Sequence, residues 1–217
     1  MTMVNRLGLL GGSLDYSNAA ADEFHAWLDT EHIPERLRIA GVFNAVRWLG
    51  VENPKISLVI YDLENLEVLK KPEYLAVSFE NFSPWSKRLI GSKTKRVTRF
   101  ACDQINPGNQ LAPANAGGLA VYAMNVAHEF EAEFNHWYDA EHIPAISAVP
   151  GVLCARRFRS RGGTDHEYVA LYHLQSPAVC DSPAWKLAMT TPAANKVREH
   201  TSDRLHLLMR PYQRTGK

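Results

Sequence analysis

Two histidines close the same short block at two places in the chain. Residues 23–34 read Glu-Phe-His-Ala-Trp-Leu-Asp-Thr-Glu-His-Ile-Pro, and residues 133–144 read Glu-Phe-Asn-His-Trp-Tyr-Asp-Ala-Glu-His-Ile-Pro, eight identities in twelve at an offset of 110. His32 and His142 are of the type that moves protons at neutral pH. Pro34 and Pro144 read as helix stops, which puts each imidazole on a last helical turn. There the helix dipole favours the charged form by roughly 0.3–1 kcal/mol. Asp29 and Asp139 lie three residues earlier on the same helix face, where a carboxylate can fix an imidazole tautomer. A capping imidazole, or a solvated Asp–His pair, accounts for the same residues without chemistry. Glu31 and Glu141 sit near the negative end of that dipole and so need a specific partner. Arg47 and Arg157, also matched at the offset of 110, are the candidates.

Other groups are placed to assist. Tyr61 and Tyr172 alternate with Val59 and Ala170, so each pair points to one side of its strand. Facing a cavity, the phenols would donate to a ligand carbonyl or enolate. One position on, the copies differ, with Asp62 against His173. His173, together with the unmatched His136 and His166, tilts the catalytic candidates toward the second copy. Trp27 and Trp137 share a helix stripe with Phe24 and Phe134 and read first as core. At a cavity wall they, with Arg47 and Arg157, would be the substrate-binding residues. The Asp-x-x-His spacing is similar to that of metal-binding helices, but no further ligands fall in place, and no metal is expected. Gly8 to Gly12 matches no phosphate loop, Gly12-Ser13-Leu14 is no nucleophile elbow, and no cysteine carries a nucleophile's motif.

The elements that position these residues repeat too. Each copy reads as a short strand (Leu7 to Gly12; Gly118 to Met124) and a helix (Ser17 to His32; His128 to His142). Two strands follow (Val42 to Leu49 and Ile56 to Leu63; Val152 to Arg159 and Glu167 to Leu174). A proline-interrupted helical stretch (Leu66 to Ile90; Ala178 to His200) and a closing strand (Arg96 to Gln104; Asp203 to Tyr212) complete it. The order is βαββαβ, the ferredoxin-like arrangement, twice. The expected fold is α+β, with half-barrels at 1–103 and 117–217 joined by a linker at 104–116. A lone four-stranded sheet leaves one face bare, so the two sheets are expected to close on each other around a cavity.

The 217 residues carry 24 Lys plus Arg against 23 Asp plus Glu, a formal charge of +1. That leaves no field to hold nucleic acid or an anionic membrane. No apolar run reaches the roughly 18 residues of a membrane span. Met1 to Gly8 lacks a leader's pattern, and three scattered cysteines suit a reducing cytoplasm.

The block Phe-x-x-Trp-x-Asp-x-Glu-His-Ile-Pro, followed by Ala-Gly-Val (40–42) or Pro-Gly-Val (149–151), resembles the dimeric α+β barrel superfamily. Within it the chain is most similar to the EthD-like branch, which includes methylmuconolactone methylisomerase. The resemblance covers both copies and implies a fused pseudo-dimer, with active-site roles for His32 and His142. The expectation drawn from it is a cofactor-independent isomerase, lyase or cyclase acting on a small, partly apolar carbonyl compound, in a monomer or homodimer. Two alternatives accompany it. One is a heme-binding monooxygenase or peroxidase-like protein with His136, His142, His173 or His200 as iron ligand. The other is a non-catalytic ligand-binding accessory protein of a catabolic pathway.

Overall fold

The computed structural model describes residues 6–213; Met1–Asn5, the first part of the start read as lacking a leader, lie outside the described residues. Eight antiparallel strands close into one barrel in the order β1-β3-β2-β8-β5-β7-β6-β4. The N-terminal half supplies β1 (Gly8–Asp15), β2 (Val46–Gly50), β3 (Ile56–Leu63) and β4 (Lys95–Asn106). The C-terminal half supplies β5 (Gly118–Val126), β6 (Val152–Ser160), β7 (Tyr168–Leu174) and β8 (Thr201–Pro211). Two seams join the halves: Trp48 to Gly50 pair with Met209 to Pro211, and Cys102 to Asn106 with Arg157 to Ser160.

Helices cover only the outside. In the N-terminal half these are α1 (Ala21–Trp27), α2 (Ile33–Leu37), α3 (Pro72–Leu75) and α4 (Pro84–Arg88). In the C-terminal half they are α5 (Glu131–Trp137), α6 (Ile143–Ser147), α7 (Pro183–Met189) and α8 (Pro192–Arg198). The proline-interrupted helical stretch expected in each half is short α and 3₁₀ segments, with one π-turn, Leu89–Lys93, in the N-terminal half, because prolines keep interrupting the ladder. Gly41 and Gly151, matched in the repeat, both take left-handed backbone, with φ of +94° and +92°. A side chain there would be strained, which explains why both halves carry glycine before the valine.

Strand alternation sorts the core into three parts. Leu10, Val59 and Tyr61 pack under the helices of the N-terminal half, and Ala120, Ala170 and Tyr172 under those of the C-terminal half. Leu9, Trp48, Leu58, Phe100, Val121, Phe158 and Leu171 form a third cluster drawn from both halves, inside the barrel. These described residues fill the space where a cavity between two facing sheets was expected. An eight-stranded barrel is just wide enough for its own side chains to fill it.

One end of that interior is polar. Arg156, fully buried, donates to Asp62 Oδ1 at 2.7 Å and meets His173 Nε2 at 3.0 Å. The connector closes this end: Gln110 O accepts from Arg156 at 3.1 Å, and Ala112 N donates to Asp62 at 2.8 Å. No described helix is long and apolar enough to cross a membrane.

Candidate functional site

The helices expected to stop at Pro34 and Pro144 do not stop there. α1 runs through a π-turn, Leu28–His32, straight into α2, and α5 runs through Tyr138–His142 into α6. The wider i→i+5 turn absorbs the proline, which has no N–H to give. His32 and His142 thus lie inside continuous helical paths, away from any C-terminal dipole. Burial lowers the His32 pKa well below its ordinary value, and the Arg36 charge adds to this. His142 is pushed down to about 3 by burial, with Arg198 and Arg157 contributing. The expected support for protonated imidazoles is overturned, since desolvating an imidazolium outweighs a dipole effect of roughly 1 kcal/mol. Both residues are neutral hydrogen-bonding groups at pH 7.

His32 packs its ring 4.4 Å from that of Trp27, and its Nδ1 is buried without a partner. Both side chains line a pocket of about 240 Å³ between the helices of the N-terminal half and the outer face of β1, β3 and β4. Tyr61 and Ser57 rise from β3 into this pocket, and both hydroxyls lack a partner. Burial raises the Tyr61 pKa, so the phenol stays protonated. Apolar walls come from Leu10, Val59, Phe24, Phe79 and Phe82. A larger cleft of about 470 Å³, at the hairpin of Arg159 to Glu167, has no apolar side chain in its lining. It offers nothing for an organic ligand to bury against.

Room in the pocket is made at Gly12. A Cβ there would meet no atom within 4 Å, whereas at Gly11, which faces the barrel interior, it would come 2.8 Å from the Phe100 ring. In the C-terminal half the position matching Gly12 is Tyr122. Its ring stacks on His206 at 4.4 Å and lies 5.8 Å from that of Tyr172. The pocket left beside Trp137, Tyr138 and His142 is smaller, about 180 Å³.

The other expected site residues are engaged elsewhere. Asp29 pairs with Arg47, whose second nitrogen lies 2.7 Å from His25 Nδ1 and whose guanidinium stacks on Tyr212. Asp139 accepts from Arg157 and from Asn106, each at 2.9 Å, and Arg157 stacks on Tyr138. The expectation that the aspartates orient the histidines is corrected: the arginines satisfy them. For the same reason Arg47 and Arg157 are structural here and absent from both pocket linings. The expected Glu–Arg pairing is corrected as well. Glu31 accepts from Ser83 Oγ at 2.5 Å and Ser86 Oγ at 3.0 Å, while Ser86 Oγ accepts from Trp27 Nε1 at 2.9 Å. Glu141 is exposed. Trp137 is buried core that also borders the smaller pocket, and Tyr172 is fully enclosed beneath it. His173 is held inside the barrel by Arg156, remote from both pockets.

Several pocket residues carry no motif in the sequence: Gly12, Ser57, Arg36, Phe79, Phe82 and Arg99. One signal exists. At the repeat offset, Gly11-Gly12-Ser13 stands against Val121-Tyr122-Ala123. A glycine facing a tyrosine marks the copy with space.

No family model and no curated protein matches this chain. Solved structures do. A protein from Fusobacterium nucleatum bearing the name monooxygenase is 7% identical with a TM-score of 0.63, covering 97% of this chain and 94% of its own. An anthrone oxidase-like protein is 13% identical with a TM-score of 0.64, covering 96% and 92%. A heme-binding protein from Thermus thermophilus is 12% identical with a TM-score of 0.59, again covering 96% and 92%. The fold is that of the dimeric α+β barrels. At such identities the likeness carries the fold alone.

These names also correct the first functional expectation. The neighbours are called oxidative or heme-binding proteins, and none of the three is called an isomerase, lyase or cyclase. Whether heme fits depends on this chain's own residues. His136 is exposed on an outer helix, and the His200 ring face is covered by Phe130 at 3.4 Å. His173 is tied to Arg156, and the His142 ring stacks on Trp137 at 4.5 Å beside a pocket of only about 180 Å³. Pockets for drug-sized ligands run from roughly 300 to 1,000 Å³. Neither pocket offers a porphyrin both a slot and a free axial nitrogen. The residues do not fit heme as they stand.

Proposed function

We propose that this chain is an oxidative enzyme that holds a small, planar aromatic substrate in the N-terminal pocket and uses dioxygen as co-substrate. The observation that carries the reading is the open position at Gly12. It lies within an aromatic-walled pocket into which unpartnered, neutral polar groups point. The names of the structural neighbours support the oxidative class. For an activated ring methylene the balanced reaction is R₂CH₂ + O₂ → R₂C=O + H₂O. The chain's contribution is to bind and orient. Tyr61 donates to the substrate's oxygen, His32 hydrogen-bonds as a neutral imidazole, and the aromatic walls exclude water so that these contacts gain strength.

We further read the two halves as copies of one ferredoxin-like unit, of which the first has kept a usable pocket; β4 carries the first to Asn106, past the boundary at 103 read from the sequence, and the second begins at 117. The repeated block and the matched strand orders, β4-β1-β3-β2 and β8-β5-β7-β6, support this.

The test is dioxygen uptake and quinone absorbance with anthrone as probe, comparing the native chain with Gly12→Tyr, which copies the residue at 122. Turnover above the uncatalysed rate, lost in Gly12→Tyr, is expected. Turnover unchanged by Gly12→Tyr removes the pocket from the reaction. A Soret band on hemin addition, abolished by His142→Ala, would replace this reading with a heme-dependent one.

A further inference from the structure

The charged residues lining the N-terminal pocket are Arg36, Arg96 and Arg99, with no carboxylate among the described lining residues. Two of the three are already engaged. Arg36 is buried and donates to His32 O at 2.7 Å and Val77 O at 3.0 Å. Arg96 is exposed and lies 3.5 Å from Asp165. Arg99 differs from both. It is half-buried, and no carboxylate lies within ion-pair distance among the described residues. Its guanidinium lies 5.5 Å from the Phe79 ring centroid.

Its place on the sheet matters more. Arg99 on β4 pairs with Gly12 on β1, so its side chain rises from the same face, beside the empty position. In the C-terminal half the matching pair is Tyr122 with His206, and those two rings stack on each other. There the same two sites are filled and carry no fixed charge. Phe79, over Arg99, holds a left-handed backbone with φ of +51°, which a bulky residue adopts only when its surroundings force it. An unpaired cation beside an aromatic-walled void is the arrangement that recognises an acidic group on a planar ligand.

From this we infer that the substrate is an aromatic carboxylate, and that Arg99 is the specificity-determining residue that binds its anionic end beside Gly12. The inference rests on the pocket proposed above and deepens it. The ring system lies among the aromatic walls, and the carboxylate reaches Arg99 beside Gly12.

The experiment compares two probes with one ring system, 2-naphthoate and methyl 2-naphthoate, by calorimetric titration of the intact chain. The native chain is expected to bind the carboxylate about tenfold or more tightly than the ester, the scale of a charge-assisted contact. Arg99→Gln should erase that preference while leaving ester affinity unchanged, and Arg99→Lys should restore part of it. Unchanged ester binding also shows that the variant is folded. Equal affinity for both probes in the native chain overturns the anion inference and leaves the pocket standing. So does a preference that survives Arg99→Gln. If neither probe binds, the pocket reading falls together with the inference.

Discussion

The two halves of this barrel share a helical path, a π-turn and a histidine whose ring packs on a tryptophan, yet the pocket beneath the helices is roomier in one, about 240 Å³ against about 180 Å³. In the N-terminal half Gly12 leaves space and Arg99 stands unpaired beside it. In the C-terminal half Tyr122 and His206 stack in the same two places. The lesson is that a repeated motif positions a site but does not make one. The His-Ile-Pro block packs its histidine on a tryptophan in both halves, and the distinction lies in two strand residues outside it. The halves also differ behind the tryptophan. Trp27 donates to Ser86, which bonds Glu31; where Ser83 caps α4 at Ser86 N, Thr191 caps α8 at Ala194 N, so a buried alanine takes the place of the serine.

Four measurements would break or sharpen this contrast. The largest effect is expected where the halves meet inside the barrel, since Asp62 and His173 occupy matched positions and share Arg156. Asp62→Ala strands a buried guanidinium and should cost about 3–5 kcal/mol of unfolding free energy in urea. A loss near zero would show that Arg156 finds water instead. Next, Tyr122→Ala should cost about 2–3 kcal/mol, below the full core value because the ring is only half-buried. If Tyr122 were a loose lid rather than packing, the melting temperature would hardly move.

Ser86→Ala should cost about 1–3 kcal/mol, because it leaves Trp27 Nε1 and Glu31 without their shared partner. The most graded effect is with pH. Burial holds His142 and His173 at about 3 when folded, against an ordinary value of 6.5. Between those values the unfolded chain binds more protons, so stability falls as pH drops from about 6.5 toward 3. The melting temperature of His142→Gln should fall less steeply over that window. Parallel slopes for the two proteins would mean that His142 is not buried neutral.

How much can be read in advance varies residue by residue. Ile56 to Leu63 is legible as a strand because apolar and β-branched residues fill it, and it forms over those same residues. Val42 to Leu49 reads as a strand from too early a residue: Val42 makes only an isolated bridge to Leu63, and the strand begins at Val46. Pro34 and Pro144 mislead for a definite reason. A proline forbids the next α-type hydrogen bond, but a π-turn does not need it. The aspartates mislead because spacing places Asp29 beside His32 while saying nothing of Arg47, which reaches it from another element.

The sequence by itself determined the elements, their order and the presence of two similar halves. Periodicity, proline positions and a repeat at an offset of 110 are local facts that survive without a fold. Tertiary structure alone decided where empty space lies, which cation lacks a partner, and whether an imidazole is charged. Each of these depends on atoms brought together from distant parts of the chain. Closure of eight strands filled the interior and moved the pocket to the outer face of the sheet, where Gly12 and Arg99 meet.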